Sequence, residues 1–508
     1  MNNTRPLTRF APPAILIGLI CLLAWRVQYA VDQEVSLLPW LMGRGWVLYR
    51  DMIDQHPPLL PALLALLGAS DPGLPLHLVI IGLLAVTLEL AYALAARLAG
   101  RLAGLGAALL TATWGLPFDS LHLWYDGALA PIYLGVGCLA AAHLSSTRVG
   151  EIASGRGRGL RTALVIGLLL GLGVLIKQHA AGAVPFVGAG MAFSERGSWQ
   201  RVGAYAVGVV SPAAVAAALL WFQGAAGEAW YWAVVYNLTG NYPAAAGLPM
   251  PASEWGLAAA LFLPAVALLL IGGRYAWRDA AGGRLLVARA LVAGGLLLAA
   301  TLPAWPRYGR YHLQAAVPLL AVAAAVAAVQ IAAVWHEGGL RGRLVAGAGL
   351  LLLSVYAVTG ADQSAKALGY VSLSEAPSAP YAATLPGLRA CVDAHAPPGT
   401  PIFLYGLDAM LYRVLEREPT RPWAPQLPWI MAAGDTQARW WAGMEAARPP
   451  VALVSGSGWD SSPGPSMDSG EGRLRYHYRA VGRFAVAVYP GAPPYDVVCL
   501  VRSESAGR

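Results

Sequence analysis

The sequence predicts an α-helical polytopic membrane protein of about eleven spans, with interfacial helices in its first outer loop and a small C-terminal α/β extracytoplasmic domain. Of the 508 residues, 57% are apolar and only 12% are charged, against about 45–50% and about 25% in soluble globular chains. Mean hydropathy is +0.54, and the apolar residues gather in runs close to the ~20 residues that a helix needs to cross a bilayer. A soluble enzyme, a disordered scaffold and a coiled coil are excluded by that composition.

The runs fall near 12–30, 74–96, 102–116, 127–144, 162–176, 180–193, 202–222, 255–272, 286–303, 313–334 and 344–360. Those at 102–116, 162–176 and 180–193 are short, and read as tilted spans, spans extended into their flanks, or parts of a re-entrant hairpin. Glu89 lies mid-span in the second run, where a charge facing lipid is costly, so it is expected to face the bundle interior.

The net charge of +8 comes from arginines scattered between apolar runs. It is therefore read as topology rather than as a nucleic-acid footprint, and no nucleic-acid partner is expected. One set of alternate loops holds Arg5 and Arg9, Arg97 and Arg101, Arg148, Arg156, Arg158 and Arg161, Arg196 and Arg201, Arg274, Arg278, Arg284 and Arg289, and Arg341 and Arg343. The opposite set is far poorer, so the rich set is cytoplasmic by the positive-inside rule. That puts the N-terminus inside and residues 361–508 outside the cytoplasmic (plasma) membrane. The first run, which lacks a small-residue cleavage site, is read as a retained span. Residues 1–360 are read as the membrane domain and 361–508 as the outer domain.

The first outer loop, about 31–58, mixes Val35, Leu37, Leu38, Trp40, Leu41 and Met42 with Gly and Arg, a density that suggests short helices lying in the interface plane. Leu59–Leu67 is too short to span and is expected to dip in or lie flat. In the tail, 401–406 and 451–455 read as strands, 408–418 and 436–448 as helices, 474–489 as further strand, and Ser455–Gly472 as a flexible loop. Cys391 and Cys499 share that tail and, in an oxidising compartment, are candidates for a disulfide.

Ionisable side chains are informative in so apolar a chain. Asp32, Glu34, Asp51, Asp54 and His56 sit in the first outer loop, Asp119, His122 and Asp126 between the third and fourth spans, Lys177, Gln178 and His179 after the fifth, and Arg307, Tyr308, Arg310, Tyr311 and His312 before the tenth. By the charge-derived topology all lie at the outer ends of spans. Lys177 is one of only two lysines and the only one among the membrane runs. Cations at headgroup depth suit a lipid phosphate, and a carboxylate beside them suits removal of a proton from an attacking hydroxyl.

The order Asp32-Gln33-Glu34, Gly45, Tyr49-Arg50-Asp51 and Gln55-His56-Pro57-Pro58-Leu59 resembles the first outer loop of the C-type membrane glycosyltransferases, in particular the protein-mannosyltransferase and aminoarabinose-transferase superfamily. Lys177-Gln178 closing the fifth span, and Arg307-Tyr308 with Arg310-Tyr311-His312 opening the tenth, are similar to later family features, so the resemblance covers about residues 12–360. It implies an inverting transfer of a sugar from a polyprenyl-phosphate donor in the membrane lipid to an acceptor protein, lipid or glycan. It places the catalytic base on Asp32, with Glu34 second because Gln33 interrupts the family's usual Asp-Glu pair, and it gives Asp126 an assisting role. Lys177 and one of Arg307 and Arg310 would hold the donor phosphate, with Tyr49, Asp51, His56, Gln178, Tyr308 and His312 lining the cavity. Members of the superfamily differ in whether they use a metal, so no cofactor is assigned and a divalent cation stays open.

Each residue also has an ordinary reading. Acids and arginines mark span ends, Asp51 can cap or pair within its loop, His56-Pro57-Pro58 can stiffen a turn, and Lys177 can snorkel. Asn237-Leu238-Thr239 matches a glycosylation sequon by a short and unspecific pattern. A transporter or flippase of lipid-linked or polar solutes is the rival reading. Transporters place ionisable groups near the midplane and show repeated halves, and neither is evident here. A nucleotide-driven pump is disfavoured by the lack of a GxxxxGK[ST] loop.

Overall fold

The computed structural model describes residues 7–26, 33–70, 73–146, 156–194, 199–239, 250–278, 283–305, 307–337, 339–369, 385–461, 469–486 and 494–503. Chain contacts divide the protein into two units. One comprises Met1–Ala30, Leu78–Leu219 and Gly247–Glu375, and the other Val31–His77, Leu220–Ala246 and Ala376–Arg508.

In the first unit each predicted apolar run falls on a helix in its described residues: Leu7–Trp25, Leu74–Ala99, Arg101–Gly115, Tyr125–Ser146, Arg156–Ile176, Ala183–Ser194, Trp199–Phe222, Ala252–Arg278, Gly283–Thr301, Ala316–Glu337 and Leu340–Gly369. Among the described residues seven helices are long and apolar enough to cross a membrane, and the apolar stretches Pro13–Trp25 and Glu254–Leu268 are shorter. Of the three short runs, 162–176 extends into its N-terminal flank, whereas Arg101–Gly115 and Ala183–Ser194 remain at 15 and 12 residues. Exposed Val207, Val210, Val215 and Leu219 on one helix are stable surface only where the solvent is lipid.

Close helix packing explains part of the glycine content. A Cβ on Gly167 would collide with the Tyr205 carbonyl, and one on Gly208 with the Leu164 carbonyl, so the helices Arg156–Ile176 and Trp199–Phe222 meet backbone to backbone. Glu89 departs from expectation. It is exposed on its helix, as are Leu78, Gly82 and Val86, because the buried stripe of that helix runs through Leu88, Ala91, Tyr92 and Ala95 instead.

The second unit is built on a four-stranded sheet of β1 (Phe403–Tyr405), β2 (Val451–Ser455), β3 (Tyr478–Val486) and β4 (Tyr495–Arg502) in the order β1-β2-β4-β3. β1 and β2 are parallel and connected through the helix Thr436–Ala447, while β4 pairs antiparallel with β2 and β3. The expected strands at 401–406 and 451–455 and the helix at 436–448 are present. The helix expected over 408–418 shortens to Met410–Val414. The segment read as strand from 474 begins as the helix Gly470–His477, and Gly456–Ser461, read as loop, is also helical. β4 had no expectation attached, although Val497 to Val501 is apolar and the strand occupies the sheet interior.

The first loop joins this core. The helix Gln33–Met42 buries Leu37, Leu38 and Leu41 completely, and Trp46, Leu48, Tyr49, Met52 and Ile53 share one apolar cluster with Phe403, Leu404, Tyr412, Trp423 and Trp440. These first-loop side chains thus pack into the core of this unit. The helix Leu59–Leu66 differs, burying Leu60 and Leu64 while Leu63 and Leu66 are exposed. Asn237 donates its side-chain amide to the carbonyls of Gln55 and Trp232, which gives the sequon asparagine a structural task.

Cys391 on the helix Pro386–His395 is bonded to Cys499 on β4, closing a separation of 108 residues. Replacing both cysteines by serine is expected to cost about 2–5 kcal/mol, because the unfolded chain regains the entropy of that loop. Thermal melting of the full-length protein checks this, with thiol labelling before and after reduction to count the bonded pair.

Candidate active site

Asp126 occupies the first turn of the helix Tyr125–Ser146, where free backbone N–H groups and the helix dipole favour an anion. Lys177 follows the last residue of Arg156–Ile176, the end that favours a cation, and its extended backbone (φ −151°, ψ 126°) turns the chain into a 3-10 turn over Gln178–Gly182. His312 lies in the 3-10 turn Arg310–Leu313 that leads into Ala316–Glu337. Three distant chain segments thus bring these side chains together. Lys177 Nζ donates to Asp126 Oδ2 at 2.5 Å, and His312 Nδ1 stands 2.9 Å from the same oxygen and 3.1 Å from Nζ.

The cluster is dry, with Lys177 3%, Asp126 0% and His312 7% exposed, so its groups depend on one another for the charge stabilisation that water would have given. His312 Nδ1 cannot serve both neighbours at once. Protonated, it donates to Asp126; unprotonated, it accepts from Lys177. Asp126 Oδ1 is buried and accepts no hydrogen bond among the described residues.

Gln314 and Glu254, which the sequence did not single out, organise the surroundings. Gln314 Nε2 donates to the carbonyls of Asp119 and His122 at 2.5 and 2.9 Å, fastening the loop before Asp126 to the segment that carries His312. A Cβ on Gly127 would lie 2.7 Å from Gln314 Oε1, so glycine beside Asp126 leaves room for that brace. Tyr311 packs edge-on to Trp124 and His122, with ring centroids 5.1 and 6.0 Å away. A small cavity nearby is lined by Thr87, Thr111, Ser120, His122 and Gln314 among apolar side chains.

Arg310 forms a two-toothed ion pair with Glu254 on Ala252–Arg278. Its Nε is 2.9 Å from both carboxylate oxygens, and its Nη2 is 2.6 Å from Oε1. Its hydrogen bonds to the Glu254 carboxylate hold the Arg310 guanidinium above its ordinary range. Tyr308 donates to Glu254 Oε2 at 3.4 Å, and burial followed by the Glu254 charge pushes its phenol up. Burial also raises Asp119, which neighbours this group. Arg307 is half-buried on the same loop. Gln178 Oε1 is buried without a hydrogen-bond partner among the described residues.

The first-loop candidates belong to the other unit. Tyr49 is completely buried at φ 71°, and its hydroxyl donates to the His56 carbonyl at 2.6 Å. Asp51 accepts from Arg50 and from the Val47 backbone N–H. Burial pushes its carboxyl up, but those hydrogen bonds and the charges of Arg50 and Arg421 outweigh it and leave the carboxyl below its usual range. His56 Nδ1 lies 2.9 Å from Asp54 Oδ1, and both residues are buried. Asp32 lies outside the described residues, as does the side chain of Glu34, although Glu34 is within the helix Gln33–Met42.

Among the described residues no group of three or more His, Cys, Asp and Glu converges as a metal site. Asp126 Oδ2 is paired with Lys177, and Glu254 with Arg310. Lys177→Met is expected to leave Asp126 as a buried carboxylate with only His312 beside it among the described residues, at a cost of about 3–5 kcal/mol, and adding Asp126→Asn should recover most of it. Melting of both variants in lipid nanodiscs checks the coupling; a double variant no more stable than the single would contradict it.

No protein-family model and no curated protein sequence matches the chain. Solved structures do. ArnT from Cupriavidus metallidurans bound to undecaprenyl phosphate superposes with a TM-score of 0.57 at 13% identity, covering 99% of this chain and 100% of that one. The Archaeoglobus fulgidus oligosaccharyltransferase tethered to an acceptor peptide containing the NVT sequon gives 0.53 at 12% identity, over 88% of this chain and 70% of that one. The same enzyme in complex with Zn and sulfate gives 0.50 at 13% identity, over 95% and 72%. The chain therefore has the fold of ArnT and of that oligosaccharyltransferase, the polytopic fold implied by its first-loop resemblance to C-type membrane glycosyltransferases.

Proposed function

We propose that this protein is an inverting glycosyltransferase that moves a sugar from a polyprenyl-phosphate-linked donor to an acceptor protein, lipid or glycan at the outer face of the cytoplasmic membrane. The observation that carries the reading is the buried Asp126–Lys177–His312 cluster at three helix ends, in a fold shared end to end with a protein bound to undecaprenyl phosphate. A polyprenyl tail stays in the bilayer while its phosphate sits at headgroup depth, where the ends of spanning helices lie.

In this reading Lys177 and one of Arg307 and Arg310 hold the donor phosphate, with Arg310 the arginine that Glu254 orients. Asp126 accepts the hydrogen bond of Lys177 Nζ and fixes its direction. A carboxylate takes the proton from the acceptor hydroxyl as that oxygen bonds to the anomeric carbon. The bond from that carbon to the phosphate oxygen breaks, its electron pair leaves with the lipid phosphate, and the cations compensate the growing charge. By family resemblance the base is Asp32, with Glu34 second. By the same resemblance Tyr49, Asp51, His56, Gln178, Tyr308 and His312 are the proposed substrate-contacting residues. The Cys391–Cys499 disulfide supports an outer, oxidising location for the tail, in agreement with the arginine distribution.

Purified protein in lipid, given a panel of radiolabelled polyprenyl-phosphate sugars, is expected to release label from one donor class. Asp32→Asn should fold and bind that donor yet lose at least about a hundredfold in transfer rate, the scale of general-base removal. Unchanged transfer by Asp32→Asn would remove it as the base. Intact donor crossing the vesicle membrane without label release would replace the enzyme reading by a flippase.

A further inference from the structure

We infer that Glu254 is a positioning residue for the donor phosphate, acting through Arg310, an inference that rests on the donor reading above. The carboxylate is seated and the guanidinium is presented: Glu254 is 13% exposed and Arg310 48%. Glu254 takes up the Nε–Nη2 edge of the guanidinium, and Nη1 makes no hydrogen bond among the described residues. A guanidinium held along one edge still offers its Nη1–Nη2 edge to a second oxyanion, and a phosphate matches that fork.

The pair also fixes a loop. Tyr308 and Arg310 are tied to Glu254, and His312, two residues on, is tied to Asp126. Two carboxylates on two different helices therefore bracket Tyr308 to His312, the stretch that carries both a guanidinium and an imidazole. Without Glu254 the long Arg310 side chain would have to be ordered by the phosphate itself. Immobilising such a side chain on binding costs about 0.5–1.5 kcal/mol, roughly two- to tenfold in affinity. A salt bridge that merely stabilised the helix end would leave ligand affinity alone.

The test titrates undecaprenyl phosphate into full-length protein in nanodiscs, with inorganic phosphate as a second arm to separate a lipid-borne phosphate from a free one. Wild type is expected to bind the lipid phosphate, and inorganic phosphate far more weakly. Glu254→Gln should weaken the lipid phosphate about fivefold, and Glu254→Asp should retain part of the affinity. In an Arg310→Gln background, Glu254→Gln should change affinity less than about twofold, because its effect runs through the missing guanidinium. Wild-type affinity in Glu254→Gln, or the same loss with and without Arg310, overturns the inference while leaving the donor reading intact. Stronger binding of free than of lipid phosphate by wild type overturns the lipid source. Wild type that binds neither ligand overturns the donor reading and this inference with it.

Discussion

The ion pair of Lys177 with Asp126 constrains the membrane unit more than any other interaction. A lysine buried this deeply depends on its counter-charge, and the carboxylate beside it depends on the lysine. The pair forces the start of one spanning helix, the end of the next and the loop before Ala316–Glu337 to one place. Once those three meet, Gln314, Gly127 and the packing of Tyr311 against Trp124 follow as ways of bringing the loops close without leaving polar groups exposed to lipid.

Charge balance then governs the chemistry. Lys177 is matched by Asp126 and Arg310 by Glu254, so the resting cluster avoids the expense of bare cations beside a low-dielectric bilayer. His312 is the adjustable member, since its Nδ1 contacts both partners and can complete a hydrogen bond with only one of them at a time. On the proposed donor reading, an arriving phosphate would add negative charge beside His312, and its departure would remove it. On that reading the cations would be organised before the donor arrives, the arrangement in which electrostatic stabilisation is most effective.

The bilayer made much of the fold legible. It requires apolar runs of a given length, and each of the eleven runs falls on a helix in its described residues. The charged triad was legible member by member, because a lone lysine, an acid and a histidine at span ends are conspicuous in an apolar chain. Their mutual contact was not, since nothing in the spacing of residues 126, 177 and 312 records it. Glu254 escaped for the same reason: its partner Arg310 lies 56 residues away, and a glutamate opening a helix reads as ordinary. Which partners the first loop takes was not legible from composition, because leucines and tryptophans that face a bilayer and those that enter a core look alike until their partners are known. Glu89 did mislead, since the cost of a lipid-exposed charge argued for an inward position that its helix does not provide.

The most direct test of the central claim compares undecaprenyl phosphate with undecaprenol in nanodiscs, following the ring nitrogens of His312 by nitrogen-15 NMR. The account predicts saturable binding of the phosphate lipid, a shift of the His312 signals on binding, and neither effect with the alcohol. Equal binding of both lipids, with His312 unmoved, would contradict it.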